Sequence, residues 1–109
     1  MGKRLILASA SPRRADLLRS AGVDFDILPA DIAEEPHAEE APRDFVLRLA
    51  GDKARAIATG QGRDDERPVL GADTIVVIDN QILGKPRDRA AATAMIRRLQ
   101  GRVHEVITA

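Results

Sequence analysis

The chain has 109 residues, 44% of them hydrophobic, which makes one small domain with enough apolar material for a packed core. Its 17 basic and 17 acidic residues cancel, so no global field draws it to nucleic acid or to an anionic membrane. Phe25 and Phe45 are the only aromatic residues and cysteine is absent, which argues against a base-stacking surface and excludes disulfides, thiol chemistry and Cys-ligated zinc.

Leu5–Leu7 is an apolar run that predicts a short buried strand. It is too short for a signal sequence, and Pro12-Arg13-Arg14 follows almost at once. No later stretch is long and apolar enough to span a membrane. The expectation is a soluble cytoplasmic protein with no membrane or nucleic-acid partner. After Leu7 come four small residues, Ala8, Ser9, Ala10 and Ser11. Ser11-Pro12 is a good helix start, because serine can cap and proline suits the first helical position. A strand therefore runs through a small-residue turn into a helix N-terminus, whose free N–H groups and dipole favour an anion. Two hydroxyls and two guanidinium groups at the same place point to phosphate. The alternative is a surface turn with solvated arginines.

The first helix is predicted over Arg13–Ala21, with Arg14, Leu17, Leu18 and Ala21 at i, i+3, i+4 and i+7, and Gly22 ending it. Val23–Leu28 alternates apolar and acidic residues and predicts a half-buried strand. This order suggests a right-handed βαβ unit with a parallel pair. Pro29–Pro42 is a loop carrying Asp31, Glu34, Glu35, Glu39 and Glu40. A second helix is predicted over Pro42–Thr59, with Val46, Leu49, Ala50 and Ile57 on one face. Lys53 falls on or beside that face, either snorkelling along the core edge or aimed at a ligand, and spacing alone favours snorkelling.

Gly60–Arg67 is a polar turn. Val69–Ile78 predicts one strand, and Asp79-Asn80 turns it into Gln81–Leu83 as a hairpin. Gly84-Lys85-Pro86 breaks that strand. Asp88 can cap a third helix over Arg89–Gln100, with Ala92, Met95, Ile96 and Leu99 as its apolar face and Gly101 as its stop. Val103–Ala109 begins another strand, and the sequence stops inside it.

Asp73 interrupts the apolar strand run. A carboxylate there is costly unless it is paired or metal-bound, so it is either a functional group or an ion-paired edge residue. Glu34 and Glu35 could add oxygen ligands for a hard cation such as Mg²⁺. Lys85, in a short break, is either a solvated loop lysine or an ammonium aimed at a ligand. His37 and His104 have no spacing pattern for zinc. Cationic groups, an anion-binding turn and carboxylates suited to Mg²⁺ are together the kit for cleaving a phosphoanhydride. No GxxxxGK[ST] or GxGxxG motif is present.

In order along the chain, LILASASPRRADLL, the acidic Asp31–Glu35 stretch, LRLAGDKARAIA, LGADTIV, ILGKPRD and LxGRxHEVIT resemble the Maf family of nucleotide pyrophosphatases. The resemblance covers nearly every residue. It implies an α/β fold with a central mixed sheet flanked by helices and a deep cleft between two lobes. Family members are roughly twice as long, so residues 1–109 would be the N-terminal part of a single domain, with the C-terminal lobe absent.

The activity implied is metal-dependent hydrolysis of a nucleoside triphosphate to the monophosphate and pyrophosphate. Asp73 would be the catalytic acceptor or a ligand of Mg²⁺ or Mn²⁺, and Glu34 would help hold that metal. Ser9, Arg13, Lys53 and Lys85 would contact the phosphates, which reverses the snorkelling reading of Lys53. Arg13 and Thr74 look like the branch acting on dTTP and UTP rather than the one acting on 7-methyl-GTP. The resemblance also implies a possible homodimer. A third reading is a non-catalytic nucleotide- or partner-binding fragment linked to septum formation.

Overall fold

The computed structural model describes residues 4–60, 67–84, 86 and 88–109. Leu5–Leu7 forms β1, Pro12–Ser20 forms α1 and Phe25–Ile27 forms β2. β1 pairs in parallel with β2, Leu5 opposite Phe25, so the expected βαβ unit is present. Ile6 and Leu7 are fully buried. Ser11 caps α1 by accepting from the Arg14 N–H at 3.4 Å, and Pro12 takes the first position. Gly22, at φ +75°, lets the chain leave α1 through a left-handed conformation. The apolar face of α1 differs from the expected one. Ala15 is buried, Leu18 is half-buried, and Leu17 is 65% exposed. Leu17 instead faces an open hollow shared with Leu70 and Val106.

Pro42–Thr59 is α2, as expected. Phe45, Val46, Leu49, Ala50 and Lys53 are its buried residues. The predicted strand over 69–78 is two strands, β3 (Val69–Leu70) and β4 (Thr74–Ile78). Gly71 begins the break. A Cβ at Gly71 would lie 2.2 Å from the Ala50 carbonyl oxygen and 2.8 Å from the Ala54 nitrogen. Only glycine lets the chain pass so close to α2.

β3 joins β1 in parallel. β4 pairs antiparallel with β5 (Gln81–Leu83) and with β6 (Glu105–Thr108). Asp79 and Asn80, at φ 51° and 62°, make the two-residue turn from β4 to β5, and these residue types tolerate that conformation. Asp88 caps α3 (Arg89–Leu99) by accepting from the Ala91 N–H at 2.8 Å. The expected apolar face of α3 is only half-covered: it buries no residue, and Ile96 is 61% exposed.

The fold class is α/β. The central mixed sheet implied by the resemblance is, among the described residues, two three-stranded sheets, a parallel one in the order β2-β1-β3 and an antiparallel one in the order β5-β4-β6. They part at residues 71–73, where the chain leaves one sheet for the other. Helix α2 lies against β3 of one sheet and β4 and β6 of the other. Val46 of α2 packs with Ile75 and Val77, and Ile82, Ile107 and Ala109 close around them. No helix among the described residues is long and apolar enough to cross a membrane.

Candidate functional site

Three local structures aim their side chains at one place. The turn from β1 into α1 brings Ser9, which is buried. The face of α2 that packs on the sheets brings Lys53. The break between β3 and β4 brings Asp73, whose main chain is fixed by two bonds with Ala109: Asp73 N–H donates to the Ala109 carbonyl at 2.9 Å, and Ala109 N–H to that of Asp73 at 3.0 Å. The acidic loop 28–41 adds Glu34. A pocket of about 390 Å³ is lined by Ser9, Ser11, Arg14, Glu34, Lys53, Asp73 and Thr74, with Ala8, Ala10 and Ala30.

Lys53 is the hub. Its Nζ lies 2.8 Å from Glu34 Oε1 and 3.0 Å from Asp73 Oδ1. Burial pushes its ammonium down, but the hydrogen bonds to Glu34 and Asp73 outweigh that and hold it above its ordinary value. The ammonium stays charged at neutral pH, as a buried carboxylate at 73 requires.

A second set of bonds crosses the other wall. Arg14 Nη1 donates to Ser9 Oγ at 3.1 Å, and its Nη2 donates to Thr74 Oγ1 at 2.9 Å. Ser9 Oγ also accepts from the Ser11 N–H at 3.2 Å. With two donors already directed at its oxygen, Ser9 has its own O–H left to offer an acceptor. Thr74 Oγ1 shares a further bond of 2.9 Å with Thr108 Oγ1. The pocket thus has an ammonium between two carboxylates on one side, and a guanidinium and hydroxyls on the other.

Ser9, Glu34, Lys53, Asp73 and Thr74 were singled out in the sequence, and the structure brings them together. Arg13 is exposed and lies on the neighbouring hollow of about 940 Å³, beside Leu17, Leu70 and Val106. Lys85 lies outside the described residues. Arg14, which the sequence offered only as one of a pair, is the arginine that lines the polar pocket. Its register with Leu18, one turn on, was the available signal.

The loop bearing Glu34 has its own anchor, Arg48, which sequence reading did not single out. Arg48 Nε donates to Glu40 Oε2 at 2.8 Å, and Nη2 to Glu40 Oε1 at 3.0 Å and to the Glu35 carbonyl at 2.8 Å. These bonds from Arg48, then that from the His37 N–H, pull the Glu40 carboxyl down to about 2.

The resemblance implies a divalent metal. Among the described residues, no group of three or more His, Asp or Glu side chains converges. A full protein cage is therefore missing, but Mg²⁺ and Mn²⁺ bound with a phosphate substrate need only one or two carboxylates, with phosphate and water supplying the rest. Glu34 and Asp73, which meet at the Lys53 ammonium, fit that demand.

Fold and pocket together define a small α/β domain with a polar, mixed-charge site at a strand–turn–helix junction. The chain belongs to the Maf family: the family description "Maf-like protein" matches residues 4–109. It is 56% identical over 105 residues to a dTTP/UTP pyrophosphatase of Geobacter metallireducens, covering 96% of this chain and 53% of the relative. A dTTP/UTP pyrophosphatase of Geobacter sulfurreducens is 57% identical over 105 residues, with the same coverages of 96% and 53%. One from Koribacter versatilis is 52% identical over 108 residues, covering 99% of this chain and 54% of the relative. The chain spans about half the length of the curated relatives it matches.

Proposed function

We propose that this chain carries the phosphate-handling half of a nucleoside triphosphate pyrophosphatase acting on dTTP and UTP. The observation that supports this most is the meeting of Lys53 with both Glu34 and Asp73 in a pocket whose opposite wall carries Arg14 and Ser9. The names of the relatives supply the reaction and the nucleotides.

In this reading the triphosphate enters between the two walls. The Arg14 guanidinium and the Ser9 O–H hold phosphate oxygens, with Lys53 adding charge from the floor. Arg13, on the adjoining hollow, and Lys85 are further phosphate contacts on the strength of the resemblance alone, as is the preference of Arg13 and Thr74 for pyrimidine nucleotides. Asp73 accepts a proton from the attacking water, which adds across the α–β anhydride and releases the monophosphate and pyrophosphate. Glu34 and Asp73 would hold Mg²⁺ or Mn²⁺, which when bound offsets phosphate charge and polarises the P–O bonds. Lys53 holds both carboxylates in place.

The test is pyrophosphate release from dTTP, UTP, CTP, GTP and 7-methyl-GTP with Mg²⁺ or Mn²⁺, by the chain and its Asp73→Asn variant. We expect turnover of dTTP and UTP that falls roughly 10²-fold or more in the variant. Unchanged turnover in Asp73→Asn would remove Asp73 from its role. Thermal stabilisation by dTTP without product would reduce the reading to nucleotide binding.

A further inference from the structure

We propose that Arg48 is a positioning residue that clamps the acidic loop so that the Glu34 carboxylate meets Lys53. Residues 28–41 contain no helix or strand. A stretch that long without regular structure inside a small domain is held by something specific or serves as a functional loop. Burial does not hold it, since no residue of 28–41 is buried. Beyond Leu28, whose N–H donates to the Leu7 carbonyl at 3.0 Å, the hold comes from α2, which grips two consecutive loop residues by different atoms. Lys53 takes the Glu34 side chain at 2.8 Å, and Arg48 takes the Glu35 carbonyl at 2.8 Å.

Arg48 also fixes the C-terminal part of the loop. Its fork meets both carboxylate oxygens of Glu40. Glu40 Oε1 then accepts from the His37 N–H at 3.0 Å, and the Glu40 N–H donates to the His37 carbonyl at 3.1 Å, which closes a turn over 37–40. Arg48 itself is braced by Asp52 Oδ2 at 3.4 Å and by the Phe45 ring, 5.5 Å from its carbon Cζ. One planar guanidinium thus joins a carboxylate, a main-chain carbonyl and an aromatic face. A lysine has neither the fork nor the plane to do this. Arg48 is absent from the lining of the pocket, so it acts through the loop and not on a ligand.

The consequence for a ligand rests on reading Glu34 as a metal donor. The clamp itself does not, and the test separates the two. Amide exchange at His37 and Glu40 reports the clamp, because both N–H groups are bonded inside the turn. Broadening of the Glu34 and Asp73 resonances by Mn²⁺ alone reports the donor site. In Arg48→Met we expect exchange at His37 and Glu40 to rise about tenfold or more, with the β4 and α2 amides unchanged. The Mn²⁺ concentration needed to broaden Glu34 should rise severalfold. Arg48→Lys should not rescue either readout, and Arg97→Met, exposed on α3, should move neither. Glu40→Gln, which leaves α2 intact, should raise exchange at His37 in the same sense and serves if Arg48→Met does not fold. Unchanged exchange in Arg48→Met or Glu40→Gln overturns the proposal. Faster exchange in a protein that Mn²⁺ never broadens supports the clamp and counts against Glu34 as a donor.

Discussion

Lys53 and Asp73 are 8% and 7% exposed, so each is the other's condition for being buried. Replacing a lysine in such a pair leaves a carboxylate in a poor solvent, which costs more than the pair itself contributes. Lys53→Met should lower stability by about 3 kcal/mol in urea unfolding. Adding Asp73→Asn should recover part of that loss, because the stranded charge is gone. If the double variant is weaker than the single by the full Asp73→Asn cost, the two residues are not coupled. At this scale the sequence was informative for Asp73, because a charge inside an apolar run is conspicuous. It was ambiguous for Lys53, since helical spacing places it on the buried face without saying whether its head meets a carboxylate or water. The residues alone offered Arg13 and Arg14 as a pair and the resemblance picked Arg13, whereas Arg14 lines the polar pocket. Adjacent helical residues point about 100° apart, and the roll of α1 decides which one enters the pocket.

The decisive element is the break between β3 and β4. Propensity reads Val69–Ile78 as one strand, because β-favouring residues flank Gly71, Ala72 and Asp73 on both sides. The structure uses those three to change sheets, and Gly71 is pressed on the main chain of α2 at Ala50 and Ala54. The same short stretch carries Asp73 to Lys53 on α2. Gly71→Ala should therefore act twice. Stability should drop by about 3 kcal/mol, the upper end for overpacking, since the clashing atoms are main chain and cannot rotate aside. The Lys53 contact should also loosen, seen as altered side-chain resonances of Lys53 in a variant that still folds. A fully stable variant with unchanged Lys53 resonances would refute this. The helices were easier to read than this break. Ser11-Pro12, Pro42 and Asp88 mark starts by local chemistry, whereas the change of sheet depends on α2, distant in sequence.

The whole molecule is more extended than its length requires. Its radius of gyration is 16.0 Å with extents of 51 × 32 × 23 Å, against about 13 Å for a globular domain of this length. Its accessible surface is 7805 Å², where a folded chain of this mass exposes about 5,900 Å². Part of the excess is apolar. Leu17, Leu70 and Val106, 65%, 40% and 60% exposed, surround the 940 Å³ hollow between α1 and the facing edges of the two sheets. β3 and β6 are edge strands there, and an edge strand beside exposed apolar side chains is a template for association. The 109-residue chain should accordingly self-associate as its concentration rises, seen as a growing weight-average mass in sedimentation velocity. Leu17→Glu with Val106→Lys places charges on both walls of the hollow and should shift that rise to higher concentration. Neither residue lines the polar pocket, so the Lys53 side-chain resonances should stay as in the wild type. A wild-type mass that stays monomeric over the same range would mean that the hollow is too open, or its edges too short, to hold a second chain.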